Sequence, residues 1–284
     1  MAASAPQTLR PPGPMPGPNA MPAGSFMDHI RQRGFLIAGV PRGTPGFGSV
    51  DPAVGLPAGF DVDMVKQVSL AIFGDANHVE YRLVTTPERV PLLQSGAIDI
   101  VSSTMTITCG RWTQVGFSTD YYIDHQRVLV TKGSPYRSLA DLKGRTVCAT
   151  TSSTSITVLQ RHSGVPGLKL VGVSDNNDCL VMLQRGQVDG ISTNEGILDG
   201  LRAEDPYTAI VGPPLTDEQH GMAISLCHKD FIRFVNGVLD RMRADGTWAR
   251  LYGQWLAPWL GAASPPAVDY GDRSPAPPYS YCSG

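Results

Sequence analysis

Thr104-Met105-Thr106-Ile107-Thr108-Cys109-Gly110-Arg111-Trp112, running on to Phe117-Ser118-Thr119-Asp120-Tyr121-Tyr122, sets a row of hydroxyls beside one arginine. It follows an apolar run ending Ile98-Asp99-Ile100-Val101, which predicts a buried strand with this loop at its end. Hydroxyls and a guanidinium that can grip two oxygens at once suit a small carboxylate ligand. Taken alone, the same residues also describe a strand edge with surface threonines and a solvated arginine. The order of motifs around the stretch decides between the two.

Upstream, Gly59-Phe60-Asp61-Val62-Asp63-Met64 predicts a helix capped by Asp61, with Val65, Val68 and Ile72 on its apolar face. Leu93 to Asp99 and Leu183 to Asp189 share one grammar: helix, Gly, two residues, Asp, strand. Leu139 to Val147 reads as a short helix, a Gly break and a strand. Asp245-Gly246-Thr247-Trp248 stops one helix and caps the next. Strands are predicted near Gly34–Val40, His78–Val84, Ala97–Ser102, Val128–Lys132, Thr146–Ala149, Leu168–Val173, Asp189–Ser192 and Gly221–Leu226. Helices separate most of them, and that alternation argues an α/β fold with a mainly parallel sheet.

From about Phe26 to about Leu260, the order and spacing of these motifs resemble family 3 extracellular solute-binding proteins, receptors that serve amino-acid transporters. Among subgroups the chain is most similar to actinobacterial lipoproteins that bind glutamate, glutamine, aspartate or asparagine. The resemblance implies a two-lobe periplasmic-binding-protein type II fold, with two hinge-crossing strands and a ligand cleft between the lobes. It implies lobe one at 26–128 plus 222–260 and lobe two at 129–221. Residues 1–25 and 261–284 are proline-rich, and they read as a flexible tether and a tail.

By the same resemblance Arg111 and Thr106 take the ligand carboxylate, and Ser103 and Thr104 touch the ligand. Thr104 stands where many glutamine receptors have Gly. A hydroxyl there, as in aspartate and glutamate receptors, favours an acidic ligand. Arg89 matches an arginine that grips a side-chain carboxylate, with a structural pairing to Glu88 or Asp99 as the alternative. Arg42 is a third cation within reach of the cleft, and a solvated loop is the alternative favoured for it. Thr150-Thr151-Ser152-Ser153-Thr154-Ser155, with Thr151, Ser152 and Thr154 singled out for the ligand, offers hydroxyls before a helix, where they suit an anion or simply cap the helix. Relatives tend to carry Asp-Asp for the ligand ammonium where this chain reads Asn194-Glu195. Either Glu195 substitutes, affinity is lower, or the ligand is not an ordinary α-amino acid.

Five cysteines stand at 109, 148, 179, 227 and 282, none in C-x-x-C spacing. Cys148 and Cys179 fall in the second lobe, where actinobacterial relatives carry a bridge. Two free thiols are the alternative, and an exported setting favours the disulfide. Cys227 is expected buried in an apolar strand, and a Cys109–Cys282 bridge stays open. The net charge of −2 gives no electrostatic case for nucleic acid. No cofactor or metal motif and no catalytic signature is present, although a dehydratase-like enzyme on the same fold is a rival reading. The implied partners are an amino acid and either an ABC permease or a membrane signalling protein. The expected place is the cell envelope, held there by a lipid anchor absent from this chain.

Overall fold

The computed structural model describes residues 8–161, 164–268 and 270. The chain begins with α1 (Phe26–Arg33), β1 (Leu36–Pro41) and a small sheet of β2 (Gly43–Thr44), β3 (Gly48–Val50) and β4 (Pro57–Ala58). Next come α2 (Phe60–Phe73), β5 (Val79–Val84), α3 (Arg89–Gln94), β6 (Ile100–Val101), α4 (Cys109–Trp112) and the long strand β7 (Gly116–Thr131). The second lobe adds β8 (Thr146–Thr150), α5 (Thr154–Arg161), β9 (Lys169–Val173), α6 (Asn176–Gln184), β10 (Gly190–Asn194) and α7 (Glu195–Glu204). A second long strand, β11 (Thr208–Ile224), returns the chain to α8 (Lys229–Ala244), α9 (Thr247–Trp255) and α10 (Ala257–Leu260).

Among the described residues the main sheet has the order β5-β1-β6-β11-β7-β10-β8-β9. β1 runs parallel to β5 and β6, and β8 runs parallel to β9 and β10. β7 and β11 pair antiparallel from Thr208 opposite Thr131 to Ile224 opposite Gly116. Their far ends dock into different lobes: Ala223 meets Val101 of β6, while Leu129 meets Ile191 of β10. These two ribbons are the hinge. They are far longer than the short runs expected at Val128 and Gly221. The register slips between Val211 and Thr216. Pro213 and Pro214 have no N–H to give the ladder there, and Gly212 turns left-handed at φ 75°.

Each lobe buries apolar side chains on both faces of its part of the sheet. Ile30, Leu36, Phe60, Val68, Ile72, Phe231, Val235 and Leu239 pack under α1, α2 and α8. Leu93, Ile98, Trp112 and Phe117 form the opposite layer of the first lobe. Leu180, Leu183, Ile191 and Leu198 fill one side of the second lobe, and Val128, Leu142, Val147 and Leu159 fill the other.

Asp61 does not cap α2. Gly59 holds that place at φ 144°, and a Cβ there would meet the Phe47 carbonyl oxygen at 2.3 Å. The repeated grammar has a structural cause. Asp99 accepts the Ile37 N–H at 2.8 Å and pairs with Arg33, and Asp189 accepts the Thr146 N–H at 2.9 Å. Each aspartate ties its own strand to the neighbouring one.

Residues 8–25 do not behave as a free tether. Asn236 of α8 donates to the Thr8 hydroxyl at 3.0 Å and to the Leu9 carbonyl at 2.7 Å, and Thr8 donates to the Phe117 carbonyl. The Asn19 N–H reaches the Ile72 carbonyl at 2.8 Å, and Met21 is buried. Tyr270 of the tail donates to Asp240 at 2.8 Å. Cys148 and Cys179 form a disulfide with Cα atoms 5.6 Å apart. Cys227 is exposed, because β11 ends at Ile224 before reaching it. Cys282 and the bridge considered for it lie outside the described residues.

Candidate functional site: the interlobe cleft

The quoted stretch lies where the two lobes face each other. Arg111 sits in α4, whose start is capped by the Thr108 hydroxyl accepting the Arg111 N–H at 3.2 Å. Its guanidinium donates to the Thr106 carbonyl at 2.7 Å and, across the cleft, to the Ser152 carbonyl at 3.0 Å. Thr106 and Thr154 touch hydroxyl to hydroxyl at 3.2 Å, and Thr154 donates to the buried Glu218 of β11 at 3.0 Å. Bonds thus run from the first lobe to the second and on to the hinge.

Arg89 is buried at the start of α3, donating to the Ser103 carbonyl at 2.8 Å and the Thr86 carbonyl at 3.1 Å. Neither Glu88 nor Asp99 pairs with it, since Glu88 turns back to the Thr85 N–H and hydroxyl. Burial pulls Arg89 down to about 9, with Arg111 nearby adding to the fall, and burial pulls Arg111 down to about 10. Both stay protonated at neutral pH, so two cations face one small space. Beneath them Asp61 accepts the Thr104 N–H at 2.9 Å, the Ser102 hydroxyl at 3.4 Å and the Tyr121 hydroxyl. Burial pushes its carboxyl up to about 7.

The backbone at the cleft is strained. Thr104 and Ser152 hold φ of 43° and 59°, a region that non-glycine residues enter at a cost. The Thr104 strain is held by the bond to Asp61, and the Ser152 strain aims the carbonyl that Arg111 uses.

Of the residues expected from sequence, Arg89, Thr104, Thr106, Arg111, Thr154 and Asn194 line the cleft. Ser103 and Ser152 stand just behind them, serving the two arginines through their carbonyls. Thr151 turns away and donates to the Val173 carbonyl at 3.1 Å. Arg42 is exposed and does not line the cleft, which removes it from the site. Glu195 is also displaced: it pairs with Arg127 and lines a separate cavity of about 430 Å³ with Tyr122 and Asp199. It therefore does not replace a carboxylate for the ligand ammonium.

Thr150, Ser153 and Ser155 of the hydroxyl run before α5 join the lining residues expected from sequence, and sequence reading missed Thr86, Asn176, Thr193 and Ile197, which complete the lining. Thr150, Thr193 and Asn194 occupy the ends of β8 and β10, where strand ends in an open α/β sheet meet ligands. That rule was the available signal. The space left between the lobes is about 20 Å³, enough for one water. That space is smaller than a ligand of amino-acid size.

The two hinged lobes match known proteins of this shape. The chain belongs to the bacterial extracellular solute-binding proteins, family 3, which it matches over residues 36–258. It is 33% identical to the ABC transporter glutamine-binding protein GlnH of Bacillus subtilis, covering 80% of this chain and 83% of that protein. It is 29% identical to the glutamate-binding protein GluB of Corynebacterium glutamicum, over 78% of each. The solved solute receptor for L-cysteine of Neisseria gonorrhoeae superposes with a TM-score of 0.77 at 26% identity, over 83% of this chain and 95% of that one. An ancestral arginine-binding protein bound to glutamine gives 0.73 at 31% identity, over 81% and 99%. This family is extracytoplasmic, and among the described residues no helix is long and apolar enough to cross a membrane.

Proposed function

We propose that this protein is the receptor for one small polar amino acid, glutamate or aspartate first and their amides next, which it delivers to an ABC permease. The observation that carries the ligand choice is the charge of the lining. Arg89 and Arg111 face the cleft, and the other lining side chains are hydroxyls, carboxamides and one isoleucine. A ligand with two carboxylates and one ammonium leaves less uncompensated charge there than a neutral amino acid does. In this reading Arg111 and Thr106 hold the α-carboxylate, Arg89 and Thr104 the side-chain carboxylate, and the second lobe closes over the ligand with Thr154 and Asn194. A proton-transfer reaction needs a tuned acid or base within reach of substrate. Arginines and hydroxyls support binding instead.

The lobe limits we propose, 26–128 plus 222–260 and 129–221, follow the exchange of strands at the hinge. Residues 8–25 would carry the chain from the first lobe toward a lipid-anchored start. Calorimetric titration with a panel of amino acids tests the ligand. Glutamate or aspartate binding tightest supports the reading, whereas preference for a cationic or large apolar amino acid overturns it. Co-purification with a multi-pass permease supports transport, while capture of a single-pass signalling protein argues for sensing.

A further inference from the structure

His220 lies on β11 directly behind the cleft and is fully buried. It holds its place through a bridge to Thr106 and a ring contact with Tyr122 at 5.5 Å between centroids. Its Nε2 meets Nδ2 of Asn194. An amide nitrogen only donates, so in this placement Nε2 carries the lone pair, and the neutral ring keeps its proton on Nδ1, which has no hydrogen-bond partner among the described residues. Burial beside Arg89 and Arg111 agrees, holding the ring down to about 3.

Asn194 is the N-cap residue of α7, a position where asparagine ordinarily turns its oxygen onto the helix N–H groups. It makes no such bond here. Asp124 of β7 serves instead, accepting the Gly196 N–H at 3.0 Å. The Asn194 side chain is thereby released into the cleft lining. With Nδ2 taken by His220, Oδ1 is the atom left to face the ligand space.

We propose that His220 is a positioning residue that fixes Asn194 as a neutral acceptor, and that this pair makes the cleft select anionic over neutral amino acids. The proposal rests on the amino-acid reading above and deepens it. The ligand ammonium meets one carbonyl oxygen of Asn194 rather than a carboxylate. The positive charge of Arg89 and Arg111 is then left for the ligand to neutralise. A zwitterion leaves more of it standing than glutamate or aspartate does. A carboxylate at position 194 would remove that difference and repel the second acidic group.

The test is calorimetric titration of L-glutamate and L-glutamine into wild type, Asn194→Asp, His220→Gln and His220→Leu, with thermal melts as a folding control. Asn194→Asp is expected to lower the preference for glutamate over glutamine by about tenfold or more, about 1.4 kcal/mol. His220→Leu removes the acceptor, frees the amide to turn, and is expected to weaken glutamate about tenfold. His220→Gln, which offers an oxygen acceptor, is expected to stay within about threefold of wild type. A preference unchanged in Asn194→Asp, or equal affinities in His220→Leu and His220→Gln, overturns the inference while leaving the ligand reading intact. Wild type that binds neither amino acid overturns the ligand reading and the inference together. Asn194→Asp is isosteric and carries the test if His220→Leu does not fold.

Discussion

Arg89 and Arg111 come from the first lobe, whereas the second lobe lines the same space with Thr150, Ser153, Thr154, Ser155, Asn176, Thr193, Asn194 and Ile197. The two halves of the cleft thus do different work. A buried cation needs acceptors from the start, and the first lobe supplies them as the Ser103, Thr86 and Thr106 carbonyls with the Asp61 carboxyl below. Hydroxyls and amides can leave the cleft for water and return at little cost, which is what a moving lobe requires. Under the proposed function, charge on the first lobe would attract an anionic ligand while the cleft is open, and neutral polar groups on the second would complete the contact on closure. The framework differs in the same sense. The second lobe is tied by Cys148–Cys179, while the first is wrapped by residues 8–25 on α8 and β7.

The largest break in this comparison is Arg111→Ala. It removes the bond to the Ser152 carbonyl across the cleft and, in the proposed reading, the grip on the α-carboxylate. Leaving a ligand carboxylate unpaired is expected to cost about 4 kcal/mol, close to a thousandfold in affinity. Calorimetry on wild type and variant reads it directly, and retention of full affinity would place the ligand elsewhere.

The disulfide comes next. Removing it with the double variant Cys148→Ser, Cys179→Ser frees a loop spanning 31 positions and is expected to cost about 3 kcal/mol. The loss should appear as a lower denaturant midpoint. Both cysteines pack in the core of the second lobe, away from the first. Hydrogen exchange should therefore rise in β8, β9 and α6 and stay level in β1 and β5. A uniform rise over both lobes would mean that the lobes unfold as one unit.

Stability should also respond to pH in a direction set by the hinge and the first lobe. Burial raises the Asp61 and Asp124 carboxyls to about 7 each, above the usual carboxylate range. A carboxyl with a raised folded pKa binds its proton more tightly folded than unfolded. Its contribution is therefore present below the unfolded value near 4 and is lost as pH climbs through about 7. Each group is expected to add about 2.5 kcal/mol on going from pH 8 to pH 5. Asp61→Asn should flatten that slope, and should also weaken binding, because an amide cannot accept both the Thr104 N–H and the Tyr121 hydroxyl as the carboxyl does. A slope identical in variant and wild type would assign the titration to another group.

Arg89→Met probes how the first lobe divides its charge. If Arg111 reads the α-carboxylate and Arg89 the side chain, glutamate should lose about tenfold more affinity than glutamine. Equal losses would mean that Arg89 serves only to hold the Ser103 carbonyl.

The order of elements was legible because each strand and helix is short and bounded by its own stop signals. The parallel strands at Leu36, Thr146 and Lys169 and the helices at Phe60 and Thr247 fall close to their expected places. β7 and β11 were not legible at full length. Their sequences mix buried hydroxyls and charges with apolar residues, and Pro213-Pro214 interrupts the pattern of β11. Such strands are held by each other and not by a single apolar face. The first half of the cleft could be read because it is one contiguous stretch around Arg111. The second half was legible only in the hydroxyl run before α5 and at Asn194, because Asn176 and Thr193 are brought beside Thr150 only by the parallel pairing of separate strands. Asp61 was read as a cap because aspartate early in a helix usually is one. Its reach to Thr104, more than forty residues on, is a tertiary fact.

The smallest effect separates stability from binding at one residue. Thr104 is β-branched, yet its φ is 43°, where a β-carbon crowds the backbone and costs about 1 kcal/mol or more. Glycine enters that region freely but gives up more chain entropy on folding, which offsets part of the gain. Thr104→Gly is therefore expected to stabilise the fold by at most about 1 kcal/mol, a rise of about 2–4 °C in Tm for a chain of this size. The Thr104 N–H still reaches Asp61, so the loop keeps its anchor. The hydroxyl that faces the cleft is lost, and glutamate affinity should fall about fivefold. Thr104→Ser keeps the hydroxyl and should hold affinity near wild type. A glycine variant that neither gains stability nor loses affinity would show that the strained threonine is not maintained for the ligand. It would also shift the selectivity of the first lobe wholly onto Arg89 and Arg111.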